Sequence, residues 1–164
     1  DEHLAQLKAR SNLRGLTFHS CEVTDDGLKQ LSGIPRLDTL SIHGERLTSD
    51  GLRHLIAIKG LRDLTLVGDN FTDEALTIVP ELPELRRLTL SHTALTDAGF
   101  AHLAGHPHLE ALKLDNQPAT DAIIAPIASL HQLRTLHLEE TEVSDASEPQ
   151  LMRLKHLEWL YLNR

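Results

Sequence analysis

Apolar positions return along this chain at a fixed interval. Stepping by 24 residues from Leu13 lands on Leu37, Leu61, Leu85, Leu109, Leu133 and Leu157. Three residues further on stand Leu16, Leu40, Leu64, Leu88, Leu112, Leu136 and Leu160, and two beyond those Phe18, Ile42, Leu66, Leu90, Leu114, Leu138 and Leu162. Another apolar column follows (Val23, Leu47, Phe71, Leu95, Ala119, Val143), then a hydroxyl column of Thr24, Thr48, Thr72, Thr96, Thr120 and Ser144. No insertion breaks the register. A fixed period in this range is the mark of stacked structural repeats.

Each period combines two local rhythms. Leu88 and Leu90 alternate with Arg87, Thr89 and Ser91, which predicts a short strand with its leucines on one side. Leu95 then carries the chain across a core. Thr96 is placed to cap a helix, and Asp97 to sit at its positive N-terminal end. Leu28 and Leu31, at helical spacing, return to the same core. One such unit cannot bury its apolar face, whereas stacked neighbours bury it together. Two periods depart from the rule. Ile123 stands where Gly27, Gly51 and Gly99 stand elsewhere, and Pro126 follows it; Glu148 takes the place of Leu28 and Leu52, followed by Pro149. Proline inside a helix removes a hydrogen bond, so shorter or 3₁₀-like segments are expected there.

Written out, the unit is L-x-x-L-x-L-x-x-(N/C/T)-x-L-T-D-x-G-L-x-x-L-x-x-L. It resembles the leucine-rich repeat family along the whole chain, and its Thr-Asp-x-Gly variant is similar to cysteine-containing and bacterial repeats. Residues 13–156 make six full repeats, residues 1–12 match the second half of one, with Leu4 and Leu7 under Leu28 and Leu31, and residues 157–164 open a seventh. The resemblance implies an α/β fold: one right-handed, horseshoe-shaped solenoid over residues 1–164, with a parallel concave sheet and short convex helices. It also implies a non-catalytic module that binds a protein or peptide. The family buries its last repeat under a capping segment, yet this sequence stops at Arg164 on a strand. The expectation is therefore a piece of a longer protein, with a terminal strand edge open to self-association. Cys21 occupies the family's Asn/Cys position, whose side chain bonds the loop backbone; that column continues Glu45, Asp69, Thr93, Gln117 and Thr141.

Composition narrows the possible functions. Hydrophobic residues make up 40% and aromatics 3% of the 164 residues, so aliphatic side chains build the core. A formal charge of −8 with no Lys/Arg run argues against a nucleic-acid surface. No apolar stretch approaches the ~20 residues of a membrane span. A single cysteine leaves no internal disulfide to form. Neither a glycine-rich phosphate loop nor an H-E-x-x-H or C-x-x-C-H pattern is present, so no cofactor is expected and the chain is read as a non-enzyme.

The residues flanking the strand leucines make the concave face. One column reads Gly15, Thr39, Asp63, Arg87, Ala111, Thr135, Trp159; the next Thr17, Ser41, Thr65, Thr89, Lys113, His137, Tyr161; the third His19, His43, Val67, Ser91, Asp115, Glu139, Asn163. Small neutral side chains give way to large and charged ones along the stack. The chain's one Trp and one Tyr both fall on the final strand, and aromatics are common interface anchors. The candidate partner surface is therefore Trp159 and Tyr161 with His137, Glu139, Lys113, Asp115 and Arg87, facing a partner with basic and apolar groups. The competing reading is that a further segment covers the two aromatics. A scaffolding or regulatory segment of a larger protein is the alternative function.

Histidine is abundant, at 11 residues. His19 and His43 share a column on adjacent strands, ~5 Å apart, which makes them weak metal candidates, since a stable zinc site wants three or four protein ligands. His54, His102, His106, His108, His131 and His156 read as exposed surface residues. Cys21 reads as structural, with His19 the one local base that a nucleophilic role would have.

Overall fold

A computed structural model describes residues 2–19, 23–43 and 46–162. Seven strands form one sheet in chain order: β1 (Gly15–His19), β2 (Thr39–His43), β3 (Asp63–Val67), β4 (Arg87–Ser91), β5 (Ala111–Asp115), β6 (Thr135–Glu139) and β7 (Trp159–Tyr161). Every neighbouring pair is parallel, and every residue pairs with the one 24 positions away, as in Leu88↔Leu112 and Leu40↔Leu64. The sequence columns are thus the register of the sheet, and the leucine alternation within each strand decides which face turns inward.

The return path of each repeat is short. Helix α1 (Glu2–Leu7) precedes β1, and α2 (Asp25–Leu28) follows it and tightens into a 3₁₀ turn, Lys29–Gly33. The next three returns are 3₁₀ throughout: Gly51–Ala57, Asp73–Glu81 and Gly99–Leu103. The last two open as 3₁₀ turns and become α3 (Ile124–Ile127) and α4 (Glu148–Leu151). The proline-bearing returns are thus short and partly 3₁₀, as expected, but Pro126 and Pro149 do not exclude an α-helical turn, and Pro80 lies inside the wholly 3₁₀ Asp73–Glu81. Pro149 sits in the first turn of α4, and Pro126 is the third residue of the four-residue α3. First-turn N–H groups have no intrahelical partner, so proline costs nothing there.

Between sheet and returns lies one continuous core. Leu28, Leu52, Leu76, Phe100 and Ile124 from the convex side meet Ile42, Leu66, Leu90 and Leu114 from the strands, all fully buried. The layer at β7 differs: Leu160 and Leu162 belong to the same columns yet are 40% and 54% exposed. A cavity of about 880 Å³ opens beside them, lined by Leu138, Val143, Leu151 and Leu154 among others.

The recurrent Thr-Asp pair has a structural cause. Each Asp carboxylate reaches forward into the following repeat and accepts from both the backbone N–H and the hydroxyl of its Thr or Ser. Asp25 binds Thr48 at 3.0 and 2.7 Å, and Asp73 binds Thr96 at 2.8 and 2.6 Å. Asp97 binds Thr120 at 2.9 and 2.6 Å, and Asp121 binds Ser144 at 2.7 and 2.6 Å. Those bonds hold the Asp121 carboxyl below the usual carboxylate range, the Ser144 hydroxyl acting most strongly. One rung is weaker: Ser49 replaces Asp, and its hydroxyl accepts from the Thr72 N–H at 3.0 Å. The hydroxyl column also caps, since Thr120 and Ser144 accept from the N–H groups of Ala122 and Ala146. The glycine column leaves room for the carboxylates; a Cβ on Gly99 would fall 2.4 Å from Asp73 Oδ1.

Candidate functional site

Parallel register sets the concave face residue by residue. On β3 and β4, Asp63 and Arg87 are direct neighbours, and Arg87 Nη2 donates to Asp63 Oδ2 at 2.8 Å. The pairing raises the Arg87 pKa above its ordinary value. Arg87 is thereby engaged within the sheet, and Ala111 and Thr135 separate it from Trp159 in the same column. It does not join the other candidates.

The remaining candidates do come together. Lys113 pairs in register with His137, and His137 with Tyr161. The His137 and Tyr161 rings stack with centroids 4.0 Å apart and planes 16° from parallel. Lys113 Nζ lies 3.1 Å from Asp115 Oδ2, and His137 Nδ1 lies 3.6 Å from Glu139 Oε2. Asp115 and Glu139 face each other across β5 and β6. Trp159 is 59% exposed and Tyr161 38%, so the patch is an aromatic ledge beside an acidic strip. Asn163 and Cys21 lie outside the described residues.

At the other end of the sheet His19 and His43 stand as their register requires, ring centroids 4.4 Å apart. The Ser41 hydroxyl lies 3.0 Å from His43 Nε2. Burial, then the neighbouring His19, pushes the His43 pKa down. Among the described residues no group of three His, Cys, Asp or Glu side chains is placed to hold a metal.

His106 is not a surface residue. It is 5% exposed, with Nε2 3.1 Å from the Leu82 carbonyl oxygen. Its column elsewhere reads Ile34, Ile58, Leu82, Leu130 and Leu154, all buried. That apolar column was the signal for its position; the flanking Pro107 and His108 obscured it. The loop column after the strands is partly as the resemblance implies: Gln117 Nε2 donates to the Asp115 carbonyl at 3.2 Å, and the Thr141 hydroxyl to the Leu138 carbonyl at 2.9 Å.

No protein-family model and no curated protein matches the chain. Solved structures do. Internalin C2 of Listeria monocytogenes aligns over 96% of this chain and 74% of its own, at 22% identity and a TM-score of 0.64. Internalin F of the same organism aligns over 98% of this chain and 51% of its own, at 18% identity and a TM-score of 0.66. The Arabidopsis receptor kinase HAESA, solved in complex with the peptide hormone IDA and the co-receptor SERK1, aligns over 94% of this chain and 26% of its own, at 21% identity and a TM-score of 0.60. At these identities the likeness is one of architecture: the chain folds as an α/β leucine-rich repeat solenoid.

Proposed function

We propose that the chain is a non-catalytic protein-interaction module that receives a protein or peptide segment on its concave sheet, toward β5, β6 and β7. The observation that carries this reading is the exposure of Trp159 and Tyr161 on a concave sheet, flanked by His137, Glu139, Lys113 and Asp115. Aromatic side chains bring large contact area at low conformational cost, which is why they anchor interfaces. That HAESA was solved with a peptide hormone bound supports the same class of function. A pull-down from the source organism's lysate with wild type and the Trp159→Ala/Tyr161→Ala variant tests it. A protein retained by wild type and released by the folded double variant is the expected result. Equal retention by both sinks the reading.

The exposed Leu160 and Leu162 favour a second reading, in which the β7 layer packs against another polypeptide and the chain serves as a scaffold. A partner insensitive to the aromatic pair but lost on Leu160→Asp would support it.

A further inference from the structure

The chain is acidic as a whole, at a formal −8, yet one cavity on it is basic. The register column just before the strands reads Arg14, Asp38, Arg62, Arg86, Glu110, Arg134 and Glu158. Three of its arginines are matched by the carboxylate one repeat on: Arg14 by Asp38, Arg86 by Glu110 and Arg134 by Glu158. Arg62 is the odd member. Its Nη2 lies 3.9 Å from Glu84 Oε2, at the outer limit of an ion pair. Where the strands β1 to β3 begin, a cavity of about 380 Å³ is lined by Arg14, Arg36, Asp38, Gly60 and Arg62 among others. The Asp38 side chain, 19% exposed, is already engaged there: Oδ2 accepts from Arg14 Nε at 2.8 Å and from Arg14 Nη2, and Oδ1 from the Thr39 hydroxyl at 3.0 Å. Burial alone would raise the Asp38 pKa, but the bonds from Arg14 and Thr39 and the charges of Arg14 and Arg62 outweigh it and hold the carboxyl below its ordinary value. Asp38 therefore stays ionised and fixes the Arg14 guanidinium. Arg36 is exposed, and no side chain among the described residues pairs with it. Gly60 stands between Arg36 and Glu84 in its own column and puts no side chain into the space.

We infer that this cavity is an anion site, which takes a divalent tetrahedral oxyanion, the phosphate or sulfate group of a ligand, between Arg14, Arg36 and Arg62. It lies at the other end of the sheet from Trp159 and Tyr161 and is independent of the concave-face reading. Three guanidiniums against one carboxylate leave an excess of two positive charges, which matches a dianion. The planar fork of N–H donors on each guanidinium suits an oxyanion better than an ammonium does. Arg14 and Arg62 stand one strand either side of Asp38, roughly 10 Å apart at the backbone, so a small ion is reached from two sides. The chemistry also limits the size of the ligand. Further along the rim Arg86 and Arg134 are held by Glu110 and Glu158, so the positive excess is confined to one place. That favours a compact group over an extended polyanion, in keeping with a chain that has no Lys/Arg run.

The test is a titration of the chain with inorganic phosphate and, separately, with sulfate, at an ionic strength held constant by chloride. It is followed by NMR at the arginine Nε–H resonances. The expected result is saturable shifts at Arg14, Arg36 and Arg62. Arg36→Gln/Arg62→Gln, shown folded by circular dichroism, should weaken affinity at least ~10-fold. Arg86→Gln/Arg134→Gln, on the same rim, should leave it unchanged. Gly60→Leu fills the cavity without removing a charge, and its Cβ has room, 3.8 Å from the Leu37 carbonyl oxygen. It should weaken binding as well. The two ions separate the sources. A phosphate monoester takes up its second proton near about pH 6, whereas sulfate stays divalent. Tighter binding of phosphate at about pH 7.5, fading towards about pH 5.5, assigns a phosphate-bearing ligand; tighter binding of sulfate, level across that range, assigns a sulfate-bearing one. Shifts that never saturate, that chloride reproduces, or that survive Arg36→Gln/Arg62→Gln overturn the site.

Discussion

At the scale of single residues, His106 has the clearest physical consequence. Its ring lies in a column of aliphatic side chains, and burial, opposed by the Leu82 carbonyl and reinforced by His108, holds its pKa below the ordinary 6.5. The folded state therefore binds its proton less readily than the unfolded chain does. Stability rises with pH wherever the unfolded state carries the extra proton. It is complete above the unfolded value and drains away as pH falls through it towards the folded value. His43, also lowered, acts in the same direction. Urea denaturation at about pH 7.5 and about pH 5.5 should show wild type losing stability on acidification, and His106→Leu losing distinctly less. Equal losses would mean the ring is not buried in solution. That residue's place was legible, since its column-mates Ile34, Ile58, Leu82, Leu130 and Leu154 are all apolar; reading it as part of a turn hid the column. Arg87 is the opposite case. Its column places it on the concave face, but only side-chain geometry reveals that Asp63 already holds it.

Among the elements, the forward-reaching carboxylates join one repeat to the next. Asp97→Ala removes the acceptor for the Thr120 N–H and hydroxyl, two charge-assisted bonds across a repeat boundary. Unmet donors of this kind cost roughly 1–3 kcal/mol. Chemical denaturation of the variant should show a loss of that order, and a loss within error of zero would show that water replaces the carboxylate freely. The Thr-Asp recurrence was plain in the sequence, and helix capping explained half of it. The other half needed stacking, because each Asp finds its partner 23 residues ahead. The convex segments misled for a related reason. Proline reads as a helix breaker, yet Pro126 and Pro149 each fall within the opening residues of a four-residue α-helix, where they are compatible with α geometry.

For the whole molecule, a linear stack makes damage local before it becomes global. Leu88 is buried against its register neighbours Leu64 and Leu112. Leu88→Ala should cost ~2–5 kcal/mol, burial loss and cavity together. Hydrogen exchange should accelerate first in β3, β4 and β5 and least in β1 and β7; uniform acceleration would contradict nearest-neighbour stability. This scale was the most legible from sequence, because strand order, register and the inward face all follow from one uninterrupted period. The chemistry of the concave corner was less so. Its residues could be enumerated, but the shielded oxygen of Asp115 and the stacking of His137 on Tyr161 depend on how adjacent side chains settle. The carboxylate rungs also give the stack a direction and one soft joint. Four described boundaries are riveted by a charge and one, between Ser49 and Thr72, by a neutral hydroxyl. A chain pulled by its two ends would meet unequal resistance along its length. Among those five joints the hydroxyl hinge would give first, separating the opening repeats as a block from the charged rungs that follow.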